Sequence, residues 1–202
     1  MAVLDHLVYA APDLEAAVER VAEAVGTRPV EGGPHLGFGT RNYLLGLGGR
    51  SYLEIVGKDP GQPEPAGPRP FGVDDLEAPA LVAWAVATTD IDTAVARARK
   101  AGVDPGDAHD MSRRRPDGTL LKWRLTPPQP GVLPFLIDWG DTPHPTETLP
   151  TVPLRSFEIT HPNPETLRPE LAALGVSPPV SKGQHESLTA HLPGLTLEPP
   201  QP

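Results

Sequence analysis

The chain has no cysteine in its 202 residues. Disulfides, thiolate metal sites and a cysteine nucleophile are therefore excluded. Positive charge is scarce: 17 Lys and Arg against 26 Asp and Glu leave a net charge of −9. That is the wrong sign for a surface that binds nucleic acid by neutralising phosphates. The only basic run, Arg113-Arg114-Arg115, leads into the turn Pro116-Asp117-Gly118. It reads as a solvated loop or as a gate attracting carboxylate substrates. No apolar run approaches the ~18 residues a membrane span needs, so no membrane partner is expected. The first residues, Met1-Ala-Val-Leu-Asp-His6, show neither a basic n-region nor an uninterrupted apolar stretch, and the expected location is cytoplasmic. Gly46-Leu-Gly-Gly49 turns a hairpin and does not open a helix, so there is no phosphate loop. Nor is there a Gly-x-Ser-x-Gly elbow, and a serine hydrolase has no support.

What is present is a repeat. In the first unit Val3 to Tyr9 reads as a strand. Asp13 then caps a helix with Leu14, Val18, Val21 and Val25 at helical spacing, and Gly26 stops it. A hairpin follows, and the unit closes at Gly57. The second unit opens with the strand Leu81 to Ala87. Asp90 caps its helix, with Ile91 and Val95 on the apolar side, and Gly102 ends it. Strands at Leu120 to Leu125 and Val132 to Trp139 lead to Gly140. A third, looser copy has a strand at Leu154 to Thr160 and a helix entered through Asn163-Pro164. Leu167, Leu171 and Leu174 form its stripe, and a hairpin turns at Pro193-Gly194.

These units divide the chain into 1–57, a Pro-rich strap at 58–79, 80–140, a linker at 141–153, and 154–202. The fold class is α+β, with two tandem βαβββ units and a shorter βαββ-like third. The strap favours extended backbone and can reach across a binding cup. The third copy suggests a cap on an open sheet edge or a homodimer contact.

The hairpin Thr40 to Gly57 carries the most chemistry. A two-residue Gly48-Gly49 turn sets Leu45 opposite Tyr52 and Tyr43 opposite Glu54. Side chains alternate along a strand, so Arg41, Tyr43, Tyr52 and Glu54 share one polar face. Leu44, Leu53 and Ile55 share the other. A concave face that polar suits a ligand, with Arg41 placed to neutralise Glu54 or to grip a substrate carboxylate. Trp84 is expected to face outward, against a helix. Trp123 and Arg124 both stand as candidate contacts, because the following loop is too long to fix register. His109, His144, His185 and His191 read as surface residues.

The order of these elements resembles the vicinal-oxygen-chelate superfamily, and in particular its glyoxalase-like branch, which includes relatives of glyoxalase, bleomycin-resistance proteins and extradiol dioxygenases. The matching segments include Leu4-Asp-His-Leu-Val-Tyr9, Gly39-Thr-Arg-Asn-Tyr-Leu-Leu45, Tyr52-Leu-Glu-Ile55, Leu81-Val-Ala-Trp-Ala-Val86, Arg115-Pro-Asp-Gly118, Trp123-Arg-Leu125 and Pro134-Phe-Leu-Ile-Asp-Trp139. In metal-dependent members each repeat gives one ligand from its first strand and a carboxylate from its last. The resemblance thus implies His6 and Glu54 as ligands of Zn, Fe, Mn or Ni. By the spacing of caps and closing glycines, Ala83 and Ile137 stand at the equivalent places in the second unit, so half the ligand set is missing. Asp138, Glu158 or His35 would have to complete it.

Three readings of the pair remain: metal ligands, a hydrogen-bonded pair with Glu54 orienting His6 as general base, or an inert inheritance. The resemblance implies a protein that binds a small organic molecule in a cup, as a metal-assisted lyase or isomerase with His6 and Glu54 catalytic and Arg41, Tyr43, Tyr52, Trp123 and Arg124 holding substrate. The alternative is a metal-free sequestering protein of the bleomycin-resistance type.

Overall fold

A computed structural model describes residues 3–114 and 118–200. Arg115, Pro116 and Asp117 of the basic turn lie outside them. The first unit runs β1 (Val3–Ala11), α1 (Leu14–Val25), β2 (Val30–His35), β3 (Thr40–Gly48) and β4 (Ser51–Lys58). The second runs β5 (Ala80–Ala87), α2 (Ile91–Lys100), β6 (His109–Arg114), β7 (Leu120–Leu125) and β8 (Phe135–Asp138). The helices begin where side chains satisfy their first amides. Asp13 accepts from Ala16 N at 3.0 Å, and Asp90 accepts from Thr93 N at 3.0 Å. Gly26, at φ 70°, ends α1 in the left-handed region that a side chain would strain.

Both units join one eight-stranded sheet in the order β2-β3-β4-β1-β5-β8-β7-β6. They meet within a single chain through the antiparallel pair β1–β5. His6 lies opposite Ala85 and Val8 opposite Ala83, so Ala83 occupies the second unit's counterpart of the His6 position. The outer strands β2 and β6 approach each other, and the sheet curls into a nearly closed cup. Arg113 is the rivet: its Nη1 donates to Asn42 Oδ1 at 2.9 Å, joining β6 to β3. The basic run is therefore in part the end of a strand, with Arg113 buried.

The convex face packs on α1, α2 and the third unit. That unit runs β9 (Ser156–His161), α3 (Pro164–Ala173), β10 (Val180–Lys182), β11 (Ser187–Leu192) and β12 (Leu195–Leu197). The extra strand β10 gives it the same order of elements as the others. Its strand order, β10-β9-β11-β12, differs, because α3 acts as a crossover between the parallel strands β9 and β10. It lies against the back of β5: Leu81 N donates to Glu198 O at 2.7 Å. Trp84 faces outward as expected but meets Phe157 of this unit, ring centroids 5.1 Å apart, while its indole N–H donates to Val132 O at 2.8 Å. The third unit thus covers the sheet's back rather than an edge.

The hairpin register differs from the sequence expectation by one residue. The turn is Gly49-Arg50, with Gly48 paired to Ser51, and a bulge at Leu47 then sets Leu44 opposite Glu54 and Tyr43 opposite Ile55. A one-residue slip reverses every side chain on the strand. Asn42 and Leu44 consequently join Tyr52 and Glu54 inside the cup, whereas Arg41, Tyr43 and Leu45 go to the back. The cause lies far away in sequence. Beyond Leu44 the free edge of β3 is taken by the connector around residue 151: Gly46 N donates to Pro150 O at 2.8 Å and Val152 N to Gly46 O at 3.0 Å.

Removing the indole that joins the third unit to the sheet empties a site with almost no solvent exposure. Trp84→Ala is expected to cost about 3–5 kcal/mol, read from urea unfolding. A loss below about 1 kcal/mol would show that the third unit contributes little to the fold.

Candidate functional site

His6 rises from β1 beside a bulge between Leu4 and His6, which brings neighbouring side chains together. Asp5, fully buried, places Oδ1 2.7 Å from His6 Nδ1. Its other oxygen, Oδ2, accepts from Trp139 Nε1 at 3.0 Å and meets His144 Nε2 at 3.1 Å. Burial pushes the Asp5 carboxyl upward, but hydrogen bonds from His144 and His6, and their charge, outweigh it and leave the group at about 2. An ionised carboxylate only accepts, so His6 directs an Nδ1–H at Asp5, and in the neutral ring Nε2, on the side away from Asp5, is the acceptor. His144, from the connector, is buried beneath this arrangement rather than lying on the surface.

His6 Nε2 faces Glu54 Oε2 at 3.7 Å, too long for a hydrogen bond. Glu54 Oε1 accepts from Asn42 Nδ2 at 2.6 Å. The same amide nitrogen lies 3.1 Å from His35 Nε2, and His35 Nδ1 lies 3.0 Å from Thr40 Oγ1. Burial lowers the His35 pKa, which favours the neutral ring this chain requires. Asn42 thus spends both hydrogens on Glu54 and His35 and its oxygen on Arg113. Among the described residues no buried side-chain polar atom lacks a partner, so His6 Nε2 and Glu54 Oε2, which make no hydrogen bond, open to the cavity.

That cavity holds about 260 Å³. Tyr52 stacks on His6 with centroids 4.7 Å apart and also borders the space; burial drives its phenol well above the usual range, so it stays protonated. The remaining wall is mostly apolar: Leu44, Trp123, Leu125, Phe135, Ile137 and Trp139. The strap closes over the top with Phe71, whose φ of 62° is strained for a bulky residue and which sits 6.3 Å from Phe135.

The structure brings together His6, His35, Glu54, Tyr52 and Trp123 of the residues expected at the site. It separates the others. Arg41 lies on the back of the sheet with Glu31 at 3.1 Å and Glu15 at 3.6 Å, and Tyr43 donates to Glu15, because of the one-residue slip. Arg124 alternates outward from Trp123 and pairs with Asp92 of α2 at 2.7 Å. Asp138 faces outward too, accepting from Ile91 N at the start of α2 at 3.2 Å. Glu158 is exposed on the third unit, 3.2 Å from Ser156 Oγ. His109, read as a surface residue, is exposed but lies at the cavity margin. Asp5, Asn42, Phe135 and Trp139 were not singled out from the sequence, and Arg113 reads there only as part of a solvated loop or a carboxylate-attracting gate, whereas it is buried and bonded to Asn42. Asn42 could have been found only with the correct register, and Asp5 only by recognising the bulge.

The implied metal can be tested on the donors present. His35 Nε2 and Glu54 Oε1 are both engaged by Asn42, leaving two open donor atoms, with a guanidinium one residue behind them. The second unit contributes apolar Ala83 and Ile137. Among the described residues no group of three or more His, Asp and Glu is arranged to hold an ion. A resident metal needs at least three such ligands, and these residues do not fit one.

The model of a family described as the glyoxalase-like domain matches residues 4–175. No curated protein matches the sequence. Among solved structures, a hypothetical protein from Staphylococcus aureus overlays 98% of this chain and 98% of its own, at 12% identity and a TM-score of 0.69, and so shares the fold. Methylmalonyl-CoA epimerase of Streptomyces coelicolor, as a variant in complex with 2-nitronate-propionyl-CoA, overlays 67% of this chain and 95% of its own, at 25% identity and a TM-score of 0.47. The Mycobacterium tuberculosis methylmalonyl-CoA epimerase covers 67% of this chain and 86% of its own, with 22% identity and a TM-score of 0.44. Among the described residues no helix is long and apolar enough to cross a membrane.

The Asp5 carboxylate should make folding depend on acid pH. Its folded pKa of about 2 lies below the ordinary 3.8. It therefore contributes about 2 kcal/mol above pH ~4, lost as pH falls through about 2. Urea unfolding of wild type and Asp5→Asn should show a stability gap at neutral pH that closes in this window. A gap that persists to pH ~2 would contradict an ionised Asp5.

Proposed function

This chain belongs to the glyoxalase-like domain family, and on that premise we propose that it binds a small, mainly apolar organic molecule in the cup and moves a proton on it, as an isomerase or lyase working without a metal. The observation that carries this reading is the pair of open acceptors, His6 Nε2 and Glu54 Oε2, 3.7 Å apart in an otherwise apolar cavity. His6, held in one tautomer by Asp5, can take a proton from a hydroxyl or from the carbon beside a carbonyl. Glu54 lies close enough to share that proton or return it. The protonated Tyr52 phenol is suited to donate to the carbonyl oxygen as charge develops there. Exclusion of water by Phe71, Phe135 and Trp139 strengthens each of these interactions.

A second reading is favoured by the wall itself. Phe135 and Ile137, on the second unit's last strand, give that side of the cup no catalytic group, which suits a protein that only sequesters its ligand.

Exchange in heavy water separates the two. Incubated with a panel of small aryl hydroxyketones, the wild type should catalyse deuterium incorporation beside the carbonyl, followed by proton NMR. Glu54→Gln and His6→Gln should each slow it by about 10²–10⁴-fold. Binding without exchange would sink the catalytic reading and leave the sequestering one. Chelator should change neither rate nor binding, and elemental analysis should find well under one divalent ion per chain. Stoichiometric metal that is lost in His6→Ala would overturn the metal-free mechanism.

A further inference from the structure

Two of the atoms that face the cavity, His6 Nε2 and Glu54 Oε2, are alike, and that limits what can bind between them beside the Tyr52 phenol. Asp5 is surrounded by donors: Trp139 Nε1–H can only donate, and His144 accepts through Nδ1 from Thr146 N at 3.4 Å, which leaves its Nε2–H for Asp5. With Oδ2 so occupied, Oδ1 takes the Nδ1–H of His6 at 2.7 Å. In the neutral imidazole His6 Nε2 is then an acceptor. Glu54 Oε2 is an acceptor as well, because Oε1 has already taken the Asn42 hydrogen. At 3.7 Å the two do not bond to each other. Either of them, desolvated by an ether or a hydrocarbon, would be left without a partner in an apolar enclosure.

We propose that the cup selects neutral ligands that present a hydroxyl or N–H donor between His6 and Glu54, and discriminates against carboxylates and phosphates. This rests on reading the cup as a binding site and names the class of molecule that site takes. An anion would set lone pairs against lone pairs and negative charge beside Glu54. Arg113 does not reverse this, since its guanidinium is committed to Asn42 and has further interactions. Size adds a second restriction. At about 260 Å³ the cavity falls below the ~300–1,000 Å³ usual for organic ligands. It suits a one- or two-ring hydroxy compound, and any long polar extension would have to remain outside.

Three matched probes test the proposal: a naphthol, its methyl ether and the corresponding naphthoate, titrated against the protein by quenching of the Trp123 and Trp139 fluorescence and by calorimetry. The naphthol should bind at least about tenfold tighter than the ether, and the naphthoate most weakly. Glu54→Gln keeps the shape and its bond from Asn42 but can turn an N–H toward the cavity. In that variant the naphthol's advantage should shrink and both the ether and the naphthoate should gain. Equal affinity of naphthol and ether in the wild type would overturn the donor requirement while leaving the binding cup intact. Tightest binding of the naphthoate would overturn it too, with Arg113 rather than Glu54 setting the preference. If none of the three binds, the reading of the cup as a ligand site fails along with it.

Discussion

One buried carboxylate holds this site together. Asp5 receives the Nδ1 side of His6 from its own strand, the indole N–H of Trp139 just after the second unit's last strand, and an imidazole from the connector that follows. Desolvating a carboxylate this completely is costly unless several donors surround it. Here they come from three separate stretches of chain, so the charge is tolerable only when both units and the connector are in place. Folding and the preparation of His6 are therefore one event: the interactions that make Asp5 admissible are those that fix the histidine tautomer.

The sheet divides labour between its faces. Its back is an ordinary hydrophobic interface, covered by two helices and by a third unit that wedges Phe157 against Trp84. Its front has no such cover. The strap passes over it carrying Phe71 and the buried Val73, so the front becomes an enclosed apolar space without becoming a filled core. Polar groups on that face are gathered toward one end, and there Asp5, Asn42 and His35 are bonded to one another or to neighbours, while His6 Nε2 and Glu54 Oε2 are left as open acceptors beside the Tyr52 phenol.

The two units are built alike and used differently. Their first strands pair antiparallel, and Ala83 stands where the second unit would repeat His6. Ile137 lines the cup from the strand that corresponds to that of Glu54. A duplicated scaffold thus supplies a reactive half and an apolar half. The loss of two donors that makes a resident metal a poor fit also supplies the surface against which an organic ligand can pack.

Much of this could be read along the chain. Asp13 and Asp90 mark helix starts because short acceptors satisfy free amides locally, and Gly26 stops a helix through its own backbone freedom. The tandem unit, the alternation of Tyr52, Glu54 and their neighbours on β4, and the outward face of Trp84 follow from the same short-range rules. The partner strand did not follow. Whether Tyr43 or Asn42 met the cup depended on a bulge at Leu47, in a stretch of β3 paired to a connector about a hundred residues later. Asp5 and His144 are likewise far apart in sequence, 139 residues, and a separation of 47 residues hid Asp138's role in capping α2. Sequence determined which segments are helices and strands, because those choices are made within a few residues. Tertiary structure decided which side chains share the cavity, because register and polar satisfaction are settled between segments that meet only in the folded chain.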